Sequence, residues 1–155
     1  MAITGTVRTF DKKYRFTVAV DGFVSAAFSK VSGLKGTINK TEHYEGGSML
    51  PNKSPGRANF DDLTLEYGAT RARSDFYLWF VAALNAPADA GVVDEALKRH
   101  LEVFQRDRAG KIVKRWAVFG AWPTSYTAGE WDNTSDDPVI ESLVLAYDYF
   151  QKLPA

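Results

Sequence analysis

Two pairs of adjacent carboxylates are the residues of this sequence whose types and spacing come closest to a site for chemistry. Asp61-Asp62 and Asp136-Asp137 would suggest divalent-cation binding or acid–base catalysis if the two carboxylates of a pair pointed the same way. Adjacent residues of an extended strand point to opposite faces, so neither pair can chelate an ion by itself. We interpret both pairs as solvated or capping carboxylates.

Other catalytic and cofactor chemistry lacks the residues that it needs. The 155 residues include no cysteine and only two histidines, His43 and His100, which excludes disulfides, thiolate zinc sites, cysteine nucleophiles and three-histidine metal sites. No Gly-x-Ser-x-Gly nucleophile elbow, dinucleotide fingerprint or phosphate-loop string occurs. The sequence therefore predicts no catalytic, metal or cofactor site, and a small-molecule enzyme is the least favoured class.

Charge is balanced overall but not along the chain. Nineteen basic and nineteen acidic residues cancel, so composition predicts no general binding to polyanions. Residues 1–41 carry seven basic and two acidic side chains, a net charge of +5 (7 − 2), whereas residues 116–151 carry six acidic and no basic ones. Either the two segments form neighbouring solvated surfaces of one domain, or copies of the chain meet basic edge to acidic edge.

Alternating hydrophobicity predicts a β-hairpin near the start of the chain. Residues 14–20 alternate, and Asp21-Gly22 is a favoured two-residue hairpin turn. Residues 23–28 are therefore predicted to return as the second arm of the hairpin, and residues 29–34 are predicted to form a connector.

Residues 45–57 are predicted to form a long extended loop between two strand-like segments, 35–44 and 59–67. The segment contains three glycines and two prolines, a density of breakers that disfavours a helix or a central strand. A long loop in a compact domain is usually functional or disordered, and the apolar pair Met49-Leu50 favours a function in which something covers it.

One amphipathic helix is predicted next. Ser74 is a candidate N-cap, Asp75 favours the positive end of a helix, and residues 76–84 carry apolar side chains at helical spacing. Within this segment, Phe76, Phe80, Ala83 and Leu84 are predicted to share a face.

The rest of the chain is predicted to be mainly β-structure. A short helical piece ending at Lys98 precedes a strand at 99–106, and residues 107–111 form a hairpin turn into the following strand. A bend at 120–126 separates that strand from a final long strand at 139–150.

This order predicts a mainly β fold: a small β-barrel or sandwich of about eight strands, with one flanking α-helix and the long extended loop. The length suits a single domain over residues 1–155. The chain starts without a basic leader and a long apolar run, and its apolar stretches fall short of the ~20 residues that cross a bilayer. We expect no signal peptide, no membrane anchoring and a product that is soluble in the cytoplasm.

Six segments, taken together and in order, resemble the contractile-tail tube proteins of bacteriophages and related injection systems. Each segment alone is weakly specific, whereas six in the same order over nearly the whole chain are fairly specific. The segments are FTVAVDG at 16–22, AFSKVSGL at 27–34, EHYEGG at 42–47, KSPGR at 53–57 leading to LTLEYG at 63–68, RW and AWP with Tyr126 at 115–126, and IESLVLAY at 140–147.

The resemblance implies a structural subunit that forms homohexameric rings, which stack into a hollow tube inside a contractile sheath. Its partners would be copies of itself, the sheath, and baseplate and tail-terminator proteins, with DNA or protein cargo passing through the lumen without specific binding. The protein would be made in the bacterial cytoplasm and assembled into a virion tail or an injection-system particle.

The resemblance also gives the long loop a purpose, because in that family an extended loop reaches the neighbouring ring. We expect Met49 and Leu50 to be the apolar anchors of that contact. The expected inter-ring residues are Glu45, Gly46, Gly47, Met49, Leu50, Pro51, Lys53 and Arg57.

A further expectation concerns the lumen. On a strand at 139–150, alternate residues share a face, and the smaller, more polar set is expected to line the bore beside two residues of the strand before the helix. Alternatively, this face lies outside the tube, beneath the sheath. The expected lumen-facing residues are Thr64, Glu66, Ser142, Val144, Ala146 and Asp148.

Two other interpretations stay open at this point. A baseplate tube-initiator paralogue would end the tube instead of repeating along it. A monomeric binding module would hold a glycan or peptide on Trp131, which is expected to be exposed, and Tyr126. Oligomeric state separates them, since a tube subunit sediments as rings or filaments and a module stays monomeric.

Overall fold

The computed structural model describes residues 15–23, 28–47, 49–68, 75–85 and 97–155. These ranges contain nine strands and one helix. In chain order they are β1 (Phe16–Val20), β2 (Phe28–Ser32), β3 (Gly36–His43), β4 (Asn52–Phe60), β5 (Leu63–Gly68), α1 (Asp75–Asn85), β6 (Arg99–Arg106), β7 (Ile112–Thr127), β8 (Ile140–Ala146) and β9 (Tyr149–Leu153).

Seven strands form two packed layers that share the long strand β7. Sheet A has the order β1-β6-β7-β9 and sheet B has the order β2-β5-β8-β7, all with antiparallel pairing. The predicted bend lies inside β7, where Gly120 has a φ of +69° and the register with β8 shifts between Pro123 and Ser125. β7 therefore leaves sheet A and enters sheet B without ending. In the described part of the chain the sheets do not close into a barrel, so the predicted mainly β fold is confirmed in its sandwich form.

The hydrophobic core lies between the two sheets and extends under α1. Burial of each large apolar side chain contributes roughly 1.5–3 kcal/mol. The core residues are Val18, Val20, Leu101, Val118 and Ala121 from sheet A, Leu63, Leu65, Tyr67, Leu143 and Leu145 from sheet B, and Phe76 and Trp79 from α1.

The helix α1 is confirmed from Asp75, but its buried face differs from the prediction. Phe76 and Trp79 are buried, and the Trp79 indole Nε1 donates a 2.8 Å hydrogen bond to the carbonyl oxygen of Leu97. Leu84, predicted on the apolar face, is exposed. The predicted cap Ser74 lies outside the described residues, as do residues 92–96 of the predicted helical piece.

The turn of the hairpin predicted for residues 14–28 is present, but most of its second arm lies outside the described residues. Gly22 has a φ of +81°, and the Phe23 N–H donates a 3.1 Å hydrogen bond to the Val20 carbonyl oxygen. β1 pairs with β6, and β2, which occupies most of the predicted connector, pairs with β5. Both pairings place apolar residues in the core, as in the Val20–Leu101 pair. Residues 24–27 lie outside the described residues.

The predicted final strand is two strands, β8 and β9, in different sheets. Between them the Asp148 N–H donates a 2.9 Å hydrogen bond to the Phe119 carbonyl oxygen, and β9 then pairs with β7 in sheet A. The interruption changes the phase of alternation, so Phe150 packs against the core and Tyr149 is exposed.

Candidate assembly surfaces

Strands β3 and β4 form a two-stranded antiparallel ribbon that projects from the sandwich. Its register runs from the Gly36–Phe60 pair at the base to the His43–Asn52 pair near the tip, a length of about 25 Å at ~3.3 Å per residue. At the base the Phe60 ring lies 5.5 Å from the Phe150 ring, centre to centre. All residues of β3 and β4 except Phe60 are exposed. The segment predicted as a long extended loop, residues 45–57, forms the tip and part of one arm of this hairpin.

A β-bulge explains how the ribbon accommodates its breakers. Ile38 pairs with Ala58 and Lys40 pairs with Pro55, so Asn39 faces two residues, Gly56 and Arg57. Proline and glycine are tolerated in strands at edges and bulges, and a solvent-exposed ribbon consists of two edges. The pattern that predicted a loop is thus the pattern of an exposed, bulged hairpin.

The residues expected to contact a neighbouring ring all lie on this ribbon. Gly46 and Gly47 form the turn at the tip, where Met49 is 98% exposed and Leu50 is 79% exposed. Lys53 and Arg57 lie on β4 and are exposed. An isolated two-stranded ribbon is marginally stable in water, and exposed apolar side chains at its tip favour a covering partner.

The residues expected to line a lumen share the solvent-facing side of sheet B, with one exception. Thr64 pairs with Val144 and Glu66 pairs with Ser142, on the side opposite the buried residues of β5 and β8. Ala146 follows Ser142 and Val144 at every second position along β8, so it lies on the same side of the sheet, and it pairs with Trp122 of β7. Antiparallel partners lie on the same side of a sheet, so the register establishes this shared face.

Asp148 is the exception, because it lies in the connection between β8 and β9. Its carboxylate is 3.6 Å from the Lys98 Nζ and lies close to the Cα of Gly120. The alternation that joined Asp148 to the face of Ser142 assumed an unbroken strand and does not hold.

A carboxylate–tyrosine cluster, in which Tyr67 is buried, lies on the core side of sheet B beneath α1. Glu141 pairs in register with Tyr67, and its carboxylate accepts hydrogen bonds from the hydroxyls of Tyr67 and Tyr126. Burial and the Glu141 carboxylate raise the pKa of Tyr67 far above its usual value, and the same two causes raise the pKa of Tyr126. Sequence analysis missed this cluster, since only the β5–β8 register brings Glu141 and Tyr67 together.

The outer side of α1 is a second surface that the sequence pattern did not predict. Residues 76–85 include no charged side chain, and Leu78 is 58% exposed and Leu84 59% exposed. A surface helix normally presents charged or polar residues to water. This side of α1 is therefore a second exposed apolar surface.

The loop between β7 and β8, residues 128–139, is acidic and carries an exposed Trp131, as predicted. Hydrogen bonds donated by the backbone N–H and the hydroxyl of Thr134 lower the pKa of Asp132. Tyr126 does not join Trp131 in a groove, because its ring instead contacts Tyr77 and Phe80 of α1. The arrangement gives no combined Trp131–Tyr126 platform for a glycan or peptide.

Within the described ranges, no group of three or more His, Asp or Glu side chains is placed to hold a metal ion. Among the same residues, no helix has the length and apolar content needed to cross a membrane.

The described residues thus form a two-layer β-sandwich with one flanking helix and a projecting β-ribbon. The family model of the T4-like virus tail tube protein gp19 matches residues 12–151, and the chain belongs to this family. The predicted tail tube resemblance is therefore confirmed. The chain is a structural tube subunit of a contractile tail or injection system and not an enzyme.

Solved structures agree with this assignment. A chain of the anti-feeding prophage cap (AFP tube terminating cap) is 26% identical over 100% of both chains, with a TM-score of 0.82. A chain of the PVC sheath-tube complex, an extracellular contractile injection system in its extended state, is 25% identical over 96% of this chain and 95% of that one, with a TM-score of 0.80.

The fold also extends to a more distant protein. Hcp1 from Flavobacterium johnsoniae shares it at 12% identity, over 92% of this chain and 97% of that one, with a TM-score of 0.58. None of the curated proteins compared with the chain matches it.

Proposed function

We propose that the chain forms hexameric rings that stack into an inner tube, and that the β3–β4 ribbon makes the contacts between rings. The observation that carries this proposal is the ribbon itself: in a subunit of the tail tube family, it is exposed along both strands and ends in an apolar tip. Burial of Met49 and Leu50 in a neighbouring subunit contributes roughly 1.5–3 kcal/mol each. Multiplied around a ring, such contacts favour stacking strongly.

The solvent-facing side of sheet B is proposed to line the bore. Thr64, Ser142, Val144 and Ala146 give it small side chains that leave the channel open, and Glu66 repeats a negative charge around every ring. A negative wall repels a polyanionic cargo and keeps DNA from adhering during passage. The place of Asp148 in the bore stays a prediction, since Asp148 lies in the connection after β8 and not on this face of the strand.

The proposed partners outside the tube are a sheath and, at the two ends, baseplate and terminator proteins. The similar PVC chain comes from a sheath-tube complex, and the similar AFP chain comes from a tube terminating cap. The AFP match favours a second candidate of the same class, a paralogue that ends a tube. The particle is a phage tail or an injection machine, assembled from protein made in the bacterial cytoplasm.

Sedimentation and electron microscopy of the purified chain test this proposal. We expect a species of about 103 kDa (6 × 17.2 kDa) and, at high concentration and low salt, hollow stacks of rings. A chain that ends a tube would give rings without long stacks. Only a 17.2 kDa monomer at every concentration, together with absence from the tube of the native particle, would contradict the proposal.

A further inference from the structure

The chain carries two exposed apolar surfaces, the tip of the β3–β4 ribbon and the outer side of α1. The tip presents Met49 and Leu50, and the helix presents Tyr77, Leu78 and Leu84. Large apolar side chains that are exposed together mark interaction surfaces. Each therefore favours an apolar partner.

The two surfaces lie at opposite ends of strand β5. The ribbon joins the sandwich at the Leu63 end, where the Asp61 N–H donates a 2.9 Å hydrogen bond to the Lys35 carbonyl oxygen. The helix packs at the other end, where the ring centres of Tyr67 and Phe76 are 5.1 Å apart. About 17 Å of strand separates the two ends. Two different surfaces at opposite ends of a subunit are what a head-to-tail assembly requires.

Charge supports the same pairing. The acidic loop at 128–139 follows β7 and precedes β8, whose first residue, Ile140, pairs with Gly68, so this loop lies at the α1 end. Lys53 and Arg57 on the ribbon are exposed, and neither forms an ion pair with a described residue. Two exposed basic side chains of the ribbon that meet an acidic loop would favour one direction of approach.

We infer that the ribbon tip of one copy docks on the outer side of α1 of a copy in the next ring, with Lys53 and Arg57 facing that copy's acidic loop. The inference rests on the proposed stacking and adds to it the surface that receives the ribbon. Met49 packs against Leu78 and Leu84, so apolar side chains from both copies leave water together.

Cysteine cross-linking tests the contact directly, because the natural chain has no cysteine. A Met49→Cys/Leu78→Cys variant is assembled into tubes and then oxidised with copper phenanthroline. Each copy then has one reactive thiol at each end, so we expect a ladder of covalent oligomers on a non-reducing gel. The matched control is Met49→Cys/Tyr149→Cys, which pairs the same tip with an exposed position on sheet A and is expected to give no ladder.

Tubes without a ladder, or an equal ladder from the control, would overturn the docking site and leave the proposed stacking intact. Failure of the unmodified chain to form rings or tubes would instead contradict the proposed function. The two failures are thus distinguishable.

A charge exchange gives a second test that needs no cysteine. We expect Lys53→Glu/Arg57→Glu to raise the protein concentration at which tubes appear by at least about tenfold, the effect of one lost close charge pair. Adding Asp136→Lys/Asp137→Lys to that chain is expected to restore most of the loss. If Leu78→Cys prevents assembly, the charge exchange is the deciding test. Restored tube formation in the four-fold variant supports the inference. Normal tube formation by Lys53→Glu/Arg57→Glu, or no restoration in the four-fold variant, overturns it.

Discussion

Gly56 faces the carbonyl oxygen of Asn39 so closely that a Cβ on Gly56 would lie 2.8 Å from it. The bulge of the ribbon therefore requires a residue without a side chain. We expect Gly56→Val to distort the ribbon and reduce tube formation at least about tenfold, while the melting temperature of the subunit changes little because the ribbon lies outside the core. Electron microscopy and thermal unfolding of the same sample measure both effects.

The matched control for that variant is Gly46→Ala at the ribbon tip, where an added Cβ meets no heavy atom within 4 Å. It should assemble like the unmodified chain. Normal tubes from Gly56→Val would show that the bulge is not needed for assembly.

The Tyr67–Glu141 contact predicts a loss of stability at high pH. Burial and Glu141 raise the pKa of Tyr67 above its ordinary value of 10, so above pH 10 the unfolded tyrosine loses its proton while the folded one keeps it. The contribution of protonated Tyr67 to the free energy of unfolding is complete below pH 10. Above pH 10 the free energy of unfolding falls by up to about 1.4 kcal/mol per pH unit. Urea unfolding between pH 8 and pH 11.5 should show a shallower decline for Tyr67→Phe.

Tyr126 and Tyr147, whose pKa values are also raised, keep part of the decline in that variant. The control is Tyr44→Phe, which removes an exposed hydroxyl from the ribbon. Identical slopes for Tyr67→Phe and the unmodified chain would contradict the buried contact.

The register of β5 predicts opposite consequences for adjacent residues. Leu65 is fully buried between the sheets, so Leu65→Ala is expected to lower the free energy of unfolding by about 2–5 kcal/mol. Thr64 lies on the solvent-facing side, and Thr64→Ala should cost about 1 kcal/mol or less. Denaturant unfolding of both variants measures the difference, and equal losses would mean that the register is wrong.

Thiol labelling tests which face lines the bore. We expect a Glu66→Cys variant in assembled tubes to resist a thiol reagent too wide for the channel, whereas the same cysteine reacts rapidly in dissociated subunits. Asp148→Cys tests the predicted place of Asp148 in the same way. Tyr149→Cys on sheet A should react in both states. Rapid labelling of Glu66→Cys in bare tubes would place sheet B on the outside.

Local patterns predicted the elements whose pairing is also local. The turn at 107–111 joins β6 to β7, which pair with each other, and Asp75 opens the helix as its position suggested. The segment predicted as strand-like at 59–67 includes most of β5, where Leu63, Leu65 and Tyr67 are buried. In each case the nearest residues in sequence decide the conformation.

The errors occurred where distant residues decide. Asp21-Gly22 forms the predicted turn, but the pairing of β1 with β6 was not predicted, because burial in the core, and not a local pattern, selects that partner strand. The breakers in residues 45–57 predicted an extended loop but not the pairing of β3 with β4, because a bulged ribbon exposed on both faces has the same composition as a loop. The strand at 139–150 is broken because its second part joins the other sheet, which no property of its own residues indicates.

The most direct test of the account is electron microscopy of a Met49→Ser/Leu50→Ser variant beside a Met49→Leu/Leu50→Met control. The account predicts folded single rings without stacks from the serine variant, since two apolar contacts per subunit are lost, and normal tubes from the control, which keeps the tip apolar. Tubes of normal length from the serine variant would contradict the claim that the β3–β4 ribbon joins one ring to the next.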